Sequence, residues 1–169
     1  MSIEQAAYKV LLKEGNFEIR QYEPMIVAVS QEEDLKGGGG FDKLFGYISG
    51  NNQDKRKVDM TTPVLNNLDM QNLTISFVMP KEHSMDTLPK PMDSSVQLKE
   101  IPVRQVAVIT FSGGINPVKI DEKKKELLDW LKEKPVTITG LVELARYNPP
   151  FVPGFIRHNE IMVEVHLDA

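Results

Sequence analysis

The sequence predicts an α+β fold in which a β-α-β-β unit is used twice. Its eight strands would curl into an antiparallel sheet or barrel with two main helices against it. Three observations carry this. The stretch Phe17–Val29 returns without a gap as Val96–Val108, so that Val27 reappears as Val106, 79 residues on. Val27-Ala28-Val29 recurs identically as Val106-Ala107-Val108, and apolar positions match apolar positions through most of the rest. Each copy is followed by one helical stripe and two strand-like runs. A half-length echo marks a duplicated supersecondary unit. It predicts one domain over 1–169, with pseudo-repeats at about 8–80 and 96–169.

The elements follow in order. Phe17 to Ser30 reads as a long strand, Phe17 and Ile19 alternating with Glu18 and Arg20 before the buried run Ile26-Val27-Ala28-Val29. Pro24 marks a bulge or bend in it. Gly37-Gly38-Gly39-Gly40 is a tether. Phe41, Leu44, Phe45 and Ile48 fall at i, i+3, i+4 and i+7, the stripe of a short helix that Gly50 ends. Asn51 to Lys57 is a polar, basic turn. Val58–Leu65 and Leu73–Met79 are strands joined through Asn66-Asn67-Leu68-Asp69. Pro80 to Ser95 is a surface crossing between the copies. Val96–Phe111 is the second long strand, and Asp121–Glu133 the second helix, with Leu127, Leu128 and Leu131 on one face and Pro135 stopping it. Thr139–Arg146 and Glu160–Leu167 are the last strands. In the final one Ile161, Val163, Val165 and Leu167 alternate with Met162, Glu164 and His166.

Composition narrows the function. A chain of 169 residues with 41% hydrophobic and 26% charged residues is ordinary for a globular domain with a substantial core. Its net charge of −4 argues against a nucleic-acid partner, because phosphate binding needs a basic face. With no cysteine there are no disulfides, thiolate nucleophiles or Cys-ligated metals, and a reducing cytoplasm is the expected location. No apolar run approaches the roughly 20 residues of a membrane span. No basic segment followed by an apolar one marks a signal peptide before Glu18.

Candidate chemistry is sparse. The glycine run precedes a helix, but the Lys-[Ser/Thr] of a phosphate loop is missing. His83, His158 and His166 form no metal pair on a predicted helix. Ser112 lacks the flanks of a nucleophile elbow, and no acid–base pair stands out, so no enzyme is expected. Met60, Met79, Met92 and Met162 carry thioethers of the kind that can ligate haem iron, although methionine more commonly fills core gaps. Met60 stands out because it follows the first helix and the basic turn of Lys55, Arg56 and Lys57, cations that would hold a ligand carboxylate.

Several segments together resemble the SOUL haem-binding protein family. They are Tyr22-Glu23-Pro24, Phe45-Gly46-Tyr47-Ile48-Ser49-Gly50-Asn51-Asn52, Met60-Thr61-Thr62-Pro63-Val64 and Phe77-Val78-Met79-Pro80. Then come Pro89-Lys90-Pro91-Met92-Asp93, Val106-Ala107-Val108 with Phe111-Ser112-Gly113, Tyr147-Asn148-Pro149-Pro150, and Arg157-His158-Asn159-Glu160-Ile161. They occur in family order from about Tyr8 to the C-terminus. The resemblance implies a distorted barrel of duplicated β-α-β-β units. It also implies a haem or other tetrapyrrole ligand held by apolar contacts near the first helix, in a carrier or buffer without catalysis. Carried onto this chain, it puts Leu44, Tyr47 and Ile48 against the porphyrin as the exposed flank, with Phe41 and Phe45 in the core. Met60 is near them, and Lys43 or the basic turn meets a propionate. Some family members have a histidine ligand ahead of the first helix. This chain has no histidine before His83, so iron would be held weakly or not axially. The same architecture occurs in effector-binding domains of bacterial regulators. The alternative is therefore a non-haem small-molecule sensor or partner-binding module.

Overall fold

The structure is a computed structural model, and it describes residues 3–35, 38–69, 71–148, 153 and 157–168. Gly37 of the tether and Pro149-Pro150 of the late motif lie outside the described residues. In chain order the strands and helices are β1 (Glu4–Gln5), β2 (Tyr8–Glu14), β3 (Phe17–Tyr22), β4 (Met25–Gln31), α1 (Gly39–Ile48), β5 (Thr61–Thr62) and β6 (Val64–Asn67). They continue with β7 (Thr74–Val78), β8 (Gln97–Ile101), β9 (Arg104–Ser112), α2 (Pro117–Leu131), β10 (Val136–Arg146) and β11 (His158–Leu167).

Each long strand of the echo is broken in two. Pro24 separates β3 from β4, and Pro102 stands between β8 and β9. Proline gives the ladder no N–H donor, so pairing stops there. The breaks decide which strands go together. The chain forms two compact units, one from residues up to Ala6 plus Pro24–Pro102, the other from Ala7–Glu23 plus residues from Val103 on.

In the first unit the ladder order is β6-β7-β4-β8, all antiparallel, with Met25 opposite Ile101 and Val27 opposite Val78. A short parallel pair, β1 with β5, belongs to the same unit. Helix α1 packs on β4 and β7. Its buried face joins Ala28, Ile75 and Phe77 in one apolar cluster, with Val58, Met79 and Leu88.

In the second unit the order is β2-β3-β9-β11-β10, again antiparallel. Helix α2 packs on β9 and β11 and buries Ile120, Leu127 and Leu131. It begins four residues before the predicted start. Asn116 caps it, its side-chain oxygen accepting from Lys119 N, and Pro117 takes the first turn, where a missing N–H costs nothing. Strand β2, an exposed edge strand, is absent from the sequence-based expectation.

The α+β class, an extended antiparallel sheet and two helices are all present. The expected barrel closure is not seen in the ladder of either unit. The alternation expected in the last strand is also corrected. Residues 159–163 of β11 are all buried, Met162 included, because β11 is central, between β9 and β10. Among the described residues no helix is long and apolar enough to cross a membrane.

Candidate functional site

The first helix does not present the face that the family resemblance implies. Leu44, Tyr47 and Ile48 are buried, whereas Phe45 is 52% exposed. The expected exposed flank is thus core, and one of the two expected core aromatics is surface. The cause is Gly40. An added Cβ there would lie 2.3 Å from the Gln31 carbonyl oxygen and 2.9 Å from Ile75 Cγ2, so only glycine lets α1 come this close to the strands. That approach turns the Gly40/Leu44/Tyr47 side of the helix inward. Phe45 swings to the rim, stacked on the half-buried Phe41 with ring centroids 6.0 Å apart, while Phe41 meets Phe77 edge-on at 5.4 Å. Lys43 is exposed on the opposite flank of the buried stripe.

Both ends of α1 are tied by side chains. At the N-terminus the Glu32 carboxylate accepts from Gly40 N at 3.2 Å and Phe41 N at 2.9 Å. Two of the helix N–H groups that a phosphate would seek are therefore already engaged by a carboxylate. At the C-terminal end the buried Tyr47 hydroxyl donates to the Pro89 carbonyl at 2.6 Å, and burial pushes that hydroxyl up to about 12. Asn52 organises the basic turn. Its Nδ2 donates to the Tyr47 and Arg56 carbonyls and its Oδ1 accepts from Arg56 N. The Arg56 guanidinium is used on the Thr87 carbonyl at 2.6 Å, while Lys55 and Lys57 face solvent. Met60 is half-buried and packs against the α1 cluster.

The second unit holds a polar centre that sequence reasoning missed. Residues directly opposite on antiparallel strands share a face. The registers therefore put Glu18 and Arg20 of β3, Thr110 of β9 and Glu160 of β11 on one side of this sheet. Glu160 is 1% exposed and accepts from five donors. Arg20 holds it in a fork, Nη1 at 2.8 Å and Nη2 at 2.6 Å. Tyr147 Oη at 2.7 Å, Thr110 Oγ1 at 3.3 Å and His158 Nε2 at 3.2 Å complete the shell. Burial alone would raise this carboxyl. Hydrogen bonds from His158 and Arg20 and the Arg20 charge outweigh it and draw Glu160 down to about 2. Arg20 is also buried, with its Cζ 4.2 Å from the Tyr8 ring centroid, its Nη1 on the Tyr22 hydroxyl and its Nε on Glu18. Burial raises Tyr147 and Tyr22, so both phenols stay protonated. Arg20 and Glu160 are 140 residues apart. Nothing in a single sequence links them.

The other predicted candidates separate. His158 is half-exposed, but the nitrogen less crowded by its own Cβ, Nε2, is held by Glu160. His83 lies 3.8 Å from Glu82 and His166 is exposed. No group of three metal-ligating side chains comes together among the described residues. Met79 and Met162 are buried, and the Ser112 carbonyl accepts from Lys119 Nζ.

Comparison with known proteins agrees with this architecture. The SOUL heme-binding protein family pattern matches residues 3–164. Heme-binding protein 2 of Homo sapiens is 30% identical over 159 residues, covering 87% of this chain and 77% of the human protein; its Mus musculus counterpart matches to the same extent. Among solved structures, the C-terminal domain of EcmrR superposes with a TM-score of 0.65 at 11% identity, covering 95% of this chain and 98% of that one. A hydrolase from Listeria innocua gives 0.62 at 12%, covering 92% and 94%. At such identities these two likenesses concern the fold alone. A family match across nearly the whole chain, with a curated relative at 30%, settles the kinship: the chain belongs to the SOUL heme-binding protein family.

Proposed function

We propose that this chain binds haem or a related tetrapyrrole on the outer side of α1, and that it carries or buffers the ligand without transforming it. The observation that carries the reading is Phe45, a large aromatic 52% exposed on a helix of a SOUL family member. Stacked on Phe41, it offers a flat apolar surface that a porphyrin ring can cover. Lys43 of α1 and Lys55 and Lys57 of the turn are exposed cations that can meet a propionate. Leu44, Tyr47 and Ile48 act from beneath, fixing the helix, and Met60 fills the space beside them.

The residues present fit the periphery of a porphyrin better than its metal. Apolar rings and cations are available, while His158 has Nε2 engaged by Glu160 and belongs to the other unit. Bound iron would bring redox and ligand-exchange chemistry. The protein's own part is to cover one face of the ring, meet its carboxylates and limit water. A hold of this kind suits loading and release. The reading includes a cytoplasmic setting, no nucleic-acid partner, and the distorted barrel built from duplicated units that the resemblance implies.

The test is titration of the purified protein with hemin. A saturable Soret shift at micromolar hemin supports the reading, and a purely linear, unsaturated response contradicts it. One observation favours a second reading, a sensor of organic cations: Glu160 is a buried acid of the type that attracts them. Here Arg20 already fills that role. Saturable binding of a lipophilic cation, without binding of hemin, would replace the first reading by the second.

A further inference from the structure

The glycines of α1 and of its C-terminal stop differ in what requires them. Gly40 is forced by the Gln31 carbonyl oxygen, and Gly50 by its φ of +119°. Gly46 has neither reason. Among the described residues an added Cβ would meet Asn51 alone, its Cβ at 3.9 Å and its Nδ2 at 4.0 Å, which is ordinary contact. The Gly46 backbone is not left-handed, and its carbonyl accepts from Asn51 N at 2.9 Å, a bond that any residue can accept. Yet glycine is among the poorest residues for a helix interior. In a helix of ten residues that cost falls on a short element. A local rule broken with no structural return points to something that approaches the backbone there.

The surroundings of Gly46 are bare as well. Helical side chains lean toward the N-terminus, so residues 49 and 50 overhang position 46. They are Ser49 and Gly50, two of the smallest residues. Asp42, one turn earlier, leans away. Successive residues stand about 100° apart around the axis, which places Gly46 between Phe45 on one side and Lys43 on the other. Both of these are exposed. The outer side of α1 therefore offers an aromatic ring, a strip of uncovered backbone and a cation, in that order.

We propose that Gly46 is the seat of the tetrapyrrole ring. Its missing side chain lets a flat face lie against the helix backbone beside Phe45, with Lys43 at the far edge for a carboxylate. The inference rests on the reading of α1 as the tetrapyrrole site, and it adds the feature that selects shape. Phe45 alone would take any apolar group, whereas bare backbone beside an aromatic ring favours a broad, flat one. The contact is with the ring and not with a metal at its centre.

The experiment compares wild type with Gly46→Ala, Gly46→Gln and Gly39→Ala. Gly39 is the control, exposed at the start of the same helix with nothing within 4 Å of an added Cβ. Urea unfolding gives the stability of each protein. Affinity is measured for hemin by the Soret band and for metal-free protoporphyrin IX by fluorescence. Both Gly46 variants are expected to have a urea midpoint at or above that of wild type. Both should bind the two rings more weakly, about tenfold or more for Gly46→Gln and less for Gly46→Ala. Gly39→Ala should bind both rings as wild type does. A lower urea midpoint in Gly46→Ala overturns the proposal, because the glycine would then be structural. Equal weakening in Gly39→Ala overturns it by tracing the effect to a stiffer helix. Loss of hemin with retention of protoporphyrin IX overturns it by tracing the effect to the metal. Saturable binding of unchanged affinity in both Gly46 variants overturns it and leaves the α1 site standing. Absence of saturable hemin binding in wild type overturns both.

Discussion

Arg20 and Glu160 show how far a charged pair can be hidden in a strand pattern. Arg20 reads in sequence as a solvated partner to Ile19, and Glu160 as the polar entrance to the last strand. Both are buried, and each satisfies the other in a two-point contact. Local alternation could not expose this, because the pairing is set by registers between strands distant in sequence. Removing one partner leaves a buried charge uncompensated. Arg20→Met should therefore destabilise the protein by roughly 3–5 kcal/mol at pH 7, measured by urea unfolding. The pH dependence has a definite sign. The Glu160 carboxyl is lower in the folded chain, about 2 against 4.5. Its contribution is fully present above the unfolded value and is lost as pH falls from about 4.5 toward 2. That contribution is on the order of 3 kcal/mol. The stability gap between wild type and Arg20→Met should shrink across that window. A gap that stays constant to pH 2 would mean that Glu160 is not the linked group.

At the scale of elements, the existence of both helices and most strands was legible, and the facing of α1 was not. The 3.6-residue stripe correctly announced a helix over Phe41–Ile48. Spacing weighs Phe41, Leu44, Phe45 and Ile48 alike, and cannot register that a missing side chain at Gly40 lets one edge of the helix sink deeper. Gly40→Ala is the direct check. Alanine is the better helix former by about 1 kcal/mol, yet its Cβ would strike the Gln31 carbonyl oxygen. A net loss of about 1–3 kcal/mol in chemical denaturation is expected. A gain in stability would contradict the close approach. The same geometry separates two aspartates on one helix. Leu44→Asp puts a charge into the α1 cluster and should unfold the first unit. Phe45→Asp should stay within about 0.5 kcal/mol of wild type by urea unfolding, while weakening hemin binding at least tenfold. If both variants lose structure equally in circular dichroism, the assignment of inner and outer faces is wrong.

For the whole molecule, the echo was readable but its consequence was not. Read as two copies in series, the chain would fold half by half. Pro24 and Pro102 instead send β3 to the unit of β9, and β8 to the unit of β4. Strands β2 and β3 join β9, and β8 joins β4, pairings between stretches far apart in sequence that no local pattern specifies. Residues 1–95 and 96–169 made as separate fragments should both lack native circular dichroism, and should regain it only when mixed. A natively folded isolated fragment would contradict the exchange. The central claim, a tetrapyrrole covering the outer side of α1, is tested most directly by amide NMR spectra recorded during addition of paramagnetic hemin. Selective broadening centred on Lys43, Phe45 and the residues flanking them in α1 is the predicted result. Broadening centred on β11 around Glu160, or spread evenly over the chain, would contradict it.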